Sequence, residues 1–361
     1  MLIGIDASRA ATTQPTGTET YSQHLIRALI DLAPDHHFRL YFNQAPLPDQ
    51  FTAAHVETRT IPSPRLWTHA RLSLEMALHP PDALFVPAHV LPIAHPRRSV
   101  VTVHDLGYLH FPGAHPRFQR WYLDVSTRWN ARAATRVIAD SQATRDDLIR
   151  HYRTPAEQIV VAHPGLDPGL RRVDDLHQIE LVAAKYGISG DYLLYVGTLQ
   201  PRKNLSRLIK AFHRSLPDCK LVIAGKKGWL YDSLFKQVER LDLSGRVVFA
   251  GYVDEPDKAA LISGALALVF PSLYEGFGFP VLEAMACGTP VVCSQTSSLG
   301  EIAGDAALLV NPADTDDIAA AIRYITANVE LRRTLVERGY TQARQFTWRA
   351  CAQVVLGELI R

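Results

Sequence analysis

Cysteine is scarce in this chain of 361 residues: there are four, Cys219, Cys287, Cys293 and Cys351. None forms a C-x-x-C pair, so neither a disulfide framework nor a structural zinc site is expected, and a reducing compartment fits. Their default reading is as small buried hydrophobes. Long apolar runs are missing too: stretches such as Ala265 to Phe270 fall far short of the roughly 20 residues that a membrane-crossing helix needs. The opening Met1-Leu2-Ile3-Gly4-Ile5-Asp6 lacks the charged, apolar and cleavage regions of a signal peptide, so a cytoplasmic location is expected. No charge sign dominates either, since 38 Lys+Arg face 36 Asp+Glu for a formal net charge of +2. That balance argues against a nucleic-acid partner held by bulk electrostatics. A G-x-G-x-x-G loop is absent at Asp6-Ala7-Ser8-Arg9 and after Val196, which counts against a dinucleotide oxidoreductase. Lysine is absent from the first 170 residues, which hold 16 Arg and 13 of the 15 His. Arginine grips anions bidentately, so this half reads either as an anionic acceptor side or as a codon bias.

What is present is a regular alternation of short β-branched runs with helix-length amphipathic segments. Strands are predicted at 2–6, 38–42, 83–86, 100–104, 136–139 and 158–162, then at 192–196, 220–224, 246–250, 265–270, 290–293 and 307–310. Predicted helices include 19–32, 176–186, 204–214 and 230–241, with a tail that is helical over 316–327, 330–345 and 348–360. Nearly continuous apolar strands separated by helices mean parallel sheets covered on both faces. Two series of six strands imply an α/β architecture of two doubly wound, Rossmann-like domains facing across a cleft. The aperiodic His163-Pro164-Gly165-Leu166-Asp167-Pro168-Gly169 marks the hinge.

The richest segment runs from Pro271 to Pro290. A buried strand ends at Phe270, a glycine-bearing loop follows, and Pro280 suits the first residue of a helix that Gly288-Thr289-Pro290 stops. The loop through Gly276, Phe277 and Gly278 brings backbone N–H groups to a helix N-terminus, a natural place for phosphate or sugar hydroxyls. Glu275 falls in that loop and Glu283 in the first helical turn, with seven residues between them. A carboxylate accepts hydrogen bonds from two adjacent sugar hydroxyls; Glu283 is equally explained by the positive end of the helix. The second segment is Tyr195-Val196-Gly197-Thr198-Leu199-Gln200-Pro201-Arg202-Lys203-Asn204. Arg202 and Lys203 at a helix entry can hold a diphosphate and stabilise it as it departs. A solvated basic turn is the alternative, and the spacing is not that of a P-loop.

These segments resemble the retaining GT-B glycosyltransferases of family 4, especially the bacterial mannosyltransferase-like members. The resemblance covers nearly the whole chain, and Glu275 to Glu283 matches the family's E-x7-E motif. It implies that Glu275 contacts donor-sugar hydroxyls, Glu283 the nucleotide ribose, and Lys203 the donor phosphate. The Arg that often follows the strand glycine in the family is Thr198 here, with Arg202 as the candidate to supply that charge. Gln14-Pro15-Thr16-Gly17-Thr18-Glu19-Thr20-Tyr21 resembles the family's first glycine loop, where the backbone at Gly17 approaches the donor phosphate and Thr18 starts a helix. An ordinary strand-to-helix turn is the plain alternative. His104, in Val103-His104-Asp105-Leu106, stands at a strand end where the family often has a His near the donor sugar; a structural hydrogen-bonding role is the other reading. Ala139-Asp140-Ser141-Gln142-Ala143-Thr144 also resembles a family segment, with helix capping as its expected task. Phe346-Thr347-Trp348 resembles the lead into a last helix that returns to the first domain. The implied division is an acceptor-side domain at 1–165, a nucleotide-sugar donor domain at 166–346 and a crossing helix at 347–361.

The implied activity is retaining, metal-independent transfer of a hexose from a nucleotide-sugar, with mannose from GDP-mannose as the best match. The implied acceptor is a glycan or a polyprenyl-diphosphate-linked glycan in surface polysaccharide synthesis. Alternatives are a sugar-nucleotide epimerase, which would act without an acceptor, and a non-catalytic nucleotide-sugar-binding relative. The nucleotide-sugar is then a substrate, and neither cofactor nor metal is expected. Asp314-Thr315-Asp316 mimics a D-x-D metal motif but suits a helix cap. Gly225-Lys226-Lys227-Gly228-Trp229 reads as a basic turn or as a border of the nucleotide. Peripheral contact with the inner face of the cytoplasmic membrane is offered by Pro64 to Leu74 and Arg117 to Tyr122, which mix Arg with Trp. In the plain alternative Leu66, Ala70 and Leu74 face a core and leave Arg65, Trp67 and Arg71 outside.

Overall fold

The computed structural model describes residues 1–12, 17–63, 67–88, 90–114, 116–226, 228 and 232–361. Its contacts separate two compact units: Met1–Gly165 with Phe346–Arg361, and Leu166–Gln345.

In the first unit the strands are β1 (Leu2–Asp6), β2 (His37–Phe42), β3 (Val56–Thr60), β4 (Ala83–Val86), β5 (Ser99–Val103), β6 (Arg136–Ala139) and β7 (Ile159–Val161). Helices α1 (Gly17–Leu32), α2 (Ser73–Leu78), α3 (Gly107–His110), α4 (Arg117–Ala133) and α5 (Gln142–Tyr152) connect them. The sheet order is β3-β2-β1-β4-β5-β6-β7, and every pairing is parallel. Winding reverses between β1 and β4, which makes that edge the switch point where such sheets bind ligands. Central strands read as apolar runs because both faces are covered; β4 and β5 are buried at every position. The exception is β3, which the apolar pattern did not predict. Its sequence VETRT is mostly exposed, and it is held at the sheet edge by the backbone ladder to β2 and by a 3.0 Å contact between Arg39 and Glu57.

The second unit carries β8 (Tyr192–Val196), β9 (Lys220–Ala224), β10 (Val247–Gly251), β11 (Ala267–Phe270), β12 (Val291–Ser294) and β13 (Ala307–Val310). Its helices are α6 (Leu176–Lys185), α7 (Leu205–Ser215), α8 (Asp232–Arg240), α9 (Glu255–Ser263), α10 (Phe279–Ala286), α11 (Ser298–Ala303), α12 (Thr315–Ala327) and α13 (Val329–Ala343). The order β10-β9-β8-β11-β12-β13 again reverses at one edge, between β8 and β11. Residues 197–204 and 271–278 follow these two strands and so flank the switch point.

The chain then returns to the first unit as α14 (Trp348–Ile360). Thr347 caps it by accepting the Ala350 N–H, and it packs on α1, β4 and β5. The Trp348 indole stacks on His24, ring centroids 5.3 Å apart, and meets Tyr21 edge-on at 5.7 Å. Gly165 lies directly under this start: a Cβ there would collide with the Trp348 backbone nitrogen. Backbone on backbone gives no soft side chain to move. Gly165→Ala should therefore destabilise the chain by about 2–3 kcal/mol, read as a melting midpoint lowered by roughly 5–10 °C. An unchanged midpoint would show that α14 is not held as described.

Candidate functional site

The second unit's switch point is built by close backbone approach. Gly197 and Gly225 follow β8 and β9, each with φ of 150°. A Cβ on Gly225 would collide with the Gly197 carbonyl, so glycine is required where the two loops touch. Thr198 follows, half-buried, and then Pro201–Lys203 form one 3₁₀ turn. Asn204 adopts φ 63° and buckles three loops together, its Nδ2 donating to the Pro271 carbonyl at 2.9 Å and the Pro312 carbonyl at 2.7 Å.

That turn delivers Arg202 and Lys203 to Glu275. Lys203 Nζ lies 2.6 Å from Oε1, and Arg202 Nη1 lies 2.7 Å from Oε2. Arg202 also donates to the Tyr274 carbonyl at 2.9 Å, and Ser272 Oγ donates to Glu275 Oε1 at 2.5 Å. Lys203 further sits 5.1 Å over the Phe270 ring. Burial alone would push the Glu275 carboxyl up, but Lys203, Arg202 and the Ser272 hydroxyl bring it down to about 2. Glu275 is therefore an ionised carboxylate inside the protein, and the cations read from the sequence as diphosphate ligands are both engaged by it. Its main chain is fixed as well: Glu275 N–H donates to Ser297 Oγ at 3.0 Å, and Ser298 Oγ donates to the carbonyls of Glu275 and Phe277 at 2.9 and 2.6 Å. Gly276, Phe277 and Gly278 are buried and lead into α10, Gly278 with φ 125°.

Glu283 corrects one expectation. Because α10 begins at Phe279, Glu283 lies in the second turn, beyond most of the helix-end charge. It pairs instead with Lys258 of α9, Nζ to Oε1 2.6 Å. Burial pushes the Lys258 ammonium down, while Glu283 and Glu255 more than offset that and hold it above its usual value. The two glutamates thus belong to separate ion pairs. A cavity of about 510 Å³ in this unit is lined by Gln200, Arg207, Lys210, Ser233 and Thr315 and does not include Glu275, Glu283 or Lys203.

In the first unit, His104 and Asp140 come together for a topological reason. The ladder pairs Val103 with Ala139, so the next residues leave neighbouring strand ends side by side. His104 Nδ1 is 2.7 Å from Asp140 Oδ2, and the Tyr21 ring meets the imidazole edge-on at 4.7 Å. Nε2 is buried, with the Pro87 backbone beside it. Burial pushes the imidazole down, but the Asp140 carboxylate outweighs it and holds His104 above its ordinary value. Gly17 is the exposed first residue of α1, one residue earlier than the expected start at Thr18. Gln14 to Thr16 lie outside the described residues.

Residues 182–342 match the family described as Glycosyl transferases group 1, and residues 15–170 match Glycosyltransferase Family 4. The O-antigen chain mannosyltransferase B of Escherichia coli is 35% identical over 259 residues, 70% of this chain and 68% of that protein. The chain belongs to the group 1 glycosyltransferases. A further relative, the O-antigen chain mannosyltransferase RfbU of Salmonella typhimurium, is 29% identical over 66% of this chain and 63% of its own length. The chain spans about a third of the longer serotype-specific mannosyltransferase WbdA of Escherichia coli, 34% of that protein at 26% identity. Among solved structures, Anabaena Alr3699/HepE in complex with UDP and glucose aligns with a TM-score of 0.77 at 20% identity, over 99% of each chain. Sucrose-phosphate synthase from Thermosynechococcus elongatus aligns with a TM-score of 0.78 at 24% identity, over 100% of this chain and 98% of that one. These likenesses show the fold, the two Rossmann-like domains that the motifs implied.

Asp314 caps α12, its carboxylate accepting the N–H groups of Asp316 and Asp317, and Asp316 pairs with Arg214 at 2.6 Å. Ser141 caps α5, which leaves the adjacent Asp140 for His104. Lys226 lies 4.7 Å over the Tyr252 ring; Lys227 and Trp229 lie outside the described residues. All four cysteines are buried and unpaired. Three partners were missed by sequence reasoning: Asp140, Ser272 and Lys258. Only Asp140 had a usable signal, a carboxylate directly after the strand that neighbours the one ending at His104.

The Glu275 cluster makes an acid-stability prediction. A carboxyl held near 2 in the fold against 4.5 in the open chain contributes stability that is fully present above pH 4.5. This contribution is lost as the pH falls toward 2, on the order of 3 kcal/mol in all. Glu275→Gln lacks that titration and strands two cations, so it should melt lower than wild type at pH 7. The gap should narrow as both are acidified from pH 5 to pH 3. Parallel melting curves across that range would disprove the ionised state of Glu275.

Proposed function

We propose that the chain transfers mannose from GDP-mannose, with retention of anomeric configuration, to a glycan or lipid-linked glycan acceptor in surface polysaccharide synthesis. One observation carries most of this reading: Glu275, buried and ionised, lies between Lys203 and Arg202 where the loops after β8 and β11 meet. An anion-and-cation pair at a switch point suits a ligand that has sugar hydroxyls at one end and a diphosphate at the other. The likeness to O-antigen mannosyltransferases supports mannose as the sugar.

In the reaction, the bond between the sugar's C1 and the diphosphate oxygen breaks. The acceptor oxygen bonds to C1 on the same face, and its proton passes to the departing diphosphate, so no protein base is required. Lys203 and Arg202 stabilise the charge that grows on the leaving group. An ammonium has three donors and a guanidinium five, so each can hold Glu275 and a phosphate oxygen together. These fixed cations do what a divalent ion does elsewhere, and we assign no metal to the transfer. Glu275 orients the sugar hydroxyls, with His104 as a further sugar contact. Gly17, Thr198, Gly276, Phe277 and Gly278 bring backbone close to the donor. Glu283 binds the ribose, and Lys258 acts as its positioning residue by fixing the carboxylate through the 2.6 Å ion pair.

The two glutamates should fail differently. Glu283→Gln is expected to weaken GDP binding about tenfold with kcat little changed. Glu275→Gln should lower kcat about a hundredfold, because its contacts matter most as charge develops. Calorimetry with GDP and turnover in EDTA-treated buffer check both. GDP bound equally well by Glu283→Gln would refute the ribose role, turnover abolished by EDTA and restored by Mg²⁺ would refute metal independence, and product formed without acceptor would favour an epimerase.

We further propose that the first unit docks on anionic lipid. The expected burial pattern is reversed here: Trp67 is buried, its indole N–H donating to the Ile61 carbonyl at 2.8 Å, while Leu74 is exposed. Ala70 is exposed too, and Arg65 and Leu66 lie outside the described residues. On α4, Phe118, Trp121, Tyr122 and Val125 recur at helical spacing, yet they are 75%, 59%, 39% and 44% exposed. Tyr122 meets His69 at 3.2 Å, which joins this stripe to the π-helical stretch Trp67–Leu72 that precedes Leu74 and Leu78. Exposed Arg71, Arg117 and Arg120 surround it, a composition suited to the headgroup boundary. No helix among the described residues is long and apolar enough to cross a membrane. The chain should float with phosphatidylglycerol vesicles at low salt, and Phe118→Ser with Trp121→Ser should abolish this. Wild-type protein left at the bottom of the gradient would refute the docking.

A further inference from the structure

We propose that His110, Asp147 and His151 form a binding site for a divalent transition-metal cation of the zinc class, separate from the sugar-transfer residues. Asp147 and His151 are four residues apart on α5 and therefore share one face. His110 ends α3 and reaches the same point. His110 Nε2 lies 2.8 Å from Asp147 Oδ2, and His151 Nε2 lies 3.7 Å from Asp147 Oδ1. The three donor atoms all fall within 4.8 Å of one another, and the two imidazoles stand perpendicular with centroids 5.8 Å apart.

The donor chemistry selects the ion. Two imidazoles and one carboxylate oxygen suit zinc, nickel or copper, whereas magnesium and calcium favour all-oxygen sets. Metal–ligand bonds of about 2.0–2.2 Å at tetrahedral angles put donors about 3.3–3.5 Å apart. His110 faces Oδ2 and His151 faces Oδ1, so both rings turn to reach that spacing around one carboxylate oxygen. Both histidine side chains are about a third exposed, at 32% and 35%, while Asp147 is 10% exposed. The buried carboxylate is thus the fixed ligand, and the rings swing onto the ion from the solvent side. Three protein ligands leave a fourth position for water.

The site's position gives the ion a consequence. His110 lies six residues beyond His104, and Asp147 seven beyond Asp140. The same two segments are already joined by the His104–Asp140 contact at 2.7 Å, by Thr144 Oγ1 donating to the His104 carbonyl at 3.2 Å, and by the Tyr108–Tyr152 hydroxyl pair at 2.7 Å. A bound cation would add a clamp across them and raise the stability of the unit that presents His104. It takes no part in the transfer itself.

Calorimetric titration of EDTA-stripped, dialysed chain with zinc sulfate is expected to show one saturable site, with a raised melting midpoint at excess zinc and no response to magnesium. His151→Gln leaves the shorter His110–Asp147 contact in place, so it should keep a metal-free midpoint close to that of wild type yet bind zinc at least about tenfold more weakly. His110→Gln should lose the zinc-induced shift as well. Cobalt(II) added to wild type should give the visible bands of a four-coordinate nitrogen–oxygen centre, a reading that does not depend on any variant folding. Absence of saturable zinc binding, or zinc affinity and cobalt bands unchanged in His151→Gln, would overturn the assignment.

Discussion

The second unit turns on one buried charge. Glu275 is held ionised by Lys203, Arg202 and the Ser272 hydroxyl, and each of these groups would be costly to bury alone. The cluster closes only if the 3₁₀ turn before α7 and the loop before α10 meet. That requirement explains Asn204 in its left-handed conformation bonding both sides, the Gly197–Gly225 backbone contact, and the serines that fix the Glu275 main chain. A carboxylate so confined has one fixed orientation, and its two cations are fixed with it.

The first unit solves a similar problem with fewer groups. His104 and Asp140 leave adjacent parallel strands at paired positions, so their contact follows from register rather than from a long loop. Tyr21 on α1 and the capped start of α5 hold the pair from two sides. Helix α14 closes this arrangement by seating Trp348 against Tyr21 and His24. The last residues of the chain therefore belong energetically to the first unit, and removing them would uncover the residues that pack around His104.

Helical periodicity alone misleads where a face is amphipathic for a reason other than burial. On α4 the apolar stripe from Phe118 to Val125 points to solvent, and the buried face carries Ser126, Thr127, Asn130 and Ala131. Asn130 and Trp129 explain this inversion by bonding the backbone of Leu91 from the inner side. Polar side chains that satisfy a neighbouring loop can outcompete apolar ones for the interior.

The sequence by itself determined the sheet-and-helix alternation, the two series of strands and the positions of the chemistry-bearing loops, because a strand buried on both faces must be nearly all apolar. It also marked Glu275, Glu283, Lys203 and Arg202 as candidates, since carboxylates and cations in loops at strand ends suit sugar hydroxyls and phosphate, and the family resemblance added His104. Strand β3 escaped because a polar edge strand is held by its neighbour's backbone, which leaves little trace in side-chain pattern. Pairings were decided only in three dimensions. Lys258 is 25 residues from Glu283 and Asp140 is 36 from His104, separations bridged by strand order and register. Whether Lys203 faces water or a carboxylate likewise depends on two loops meeting at one sheet edge. Local propensity sets each loop's shape, but only the packed sheet brings their ends together.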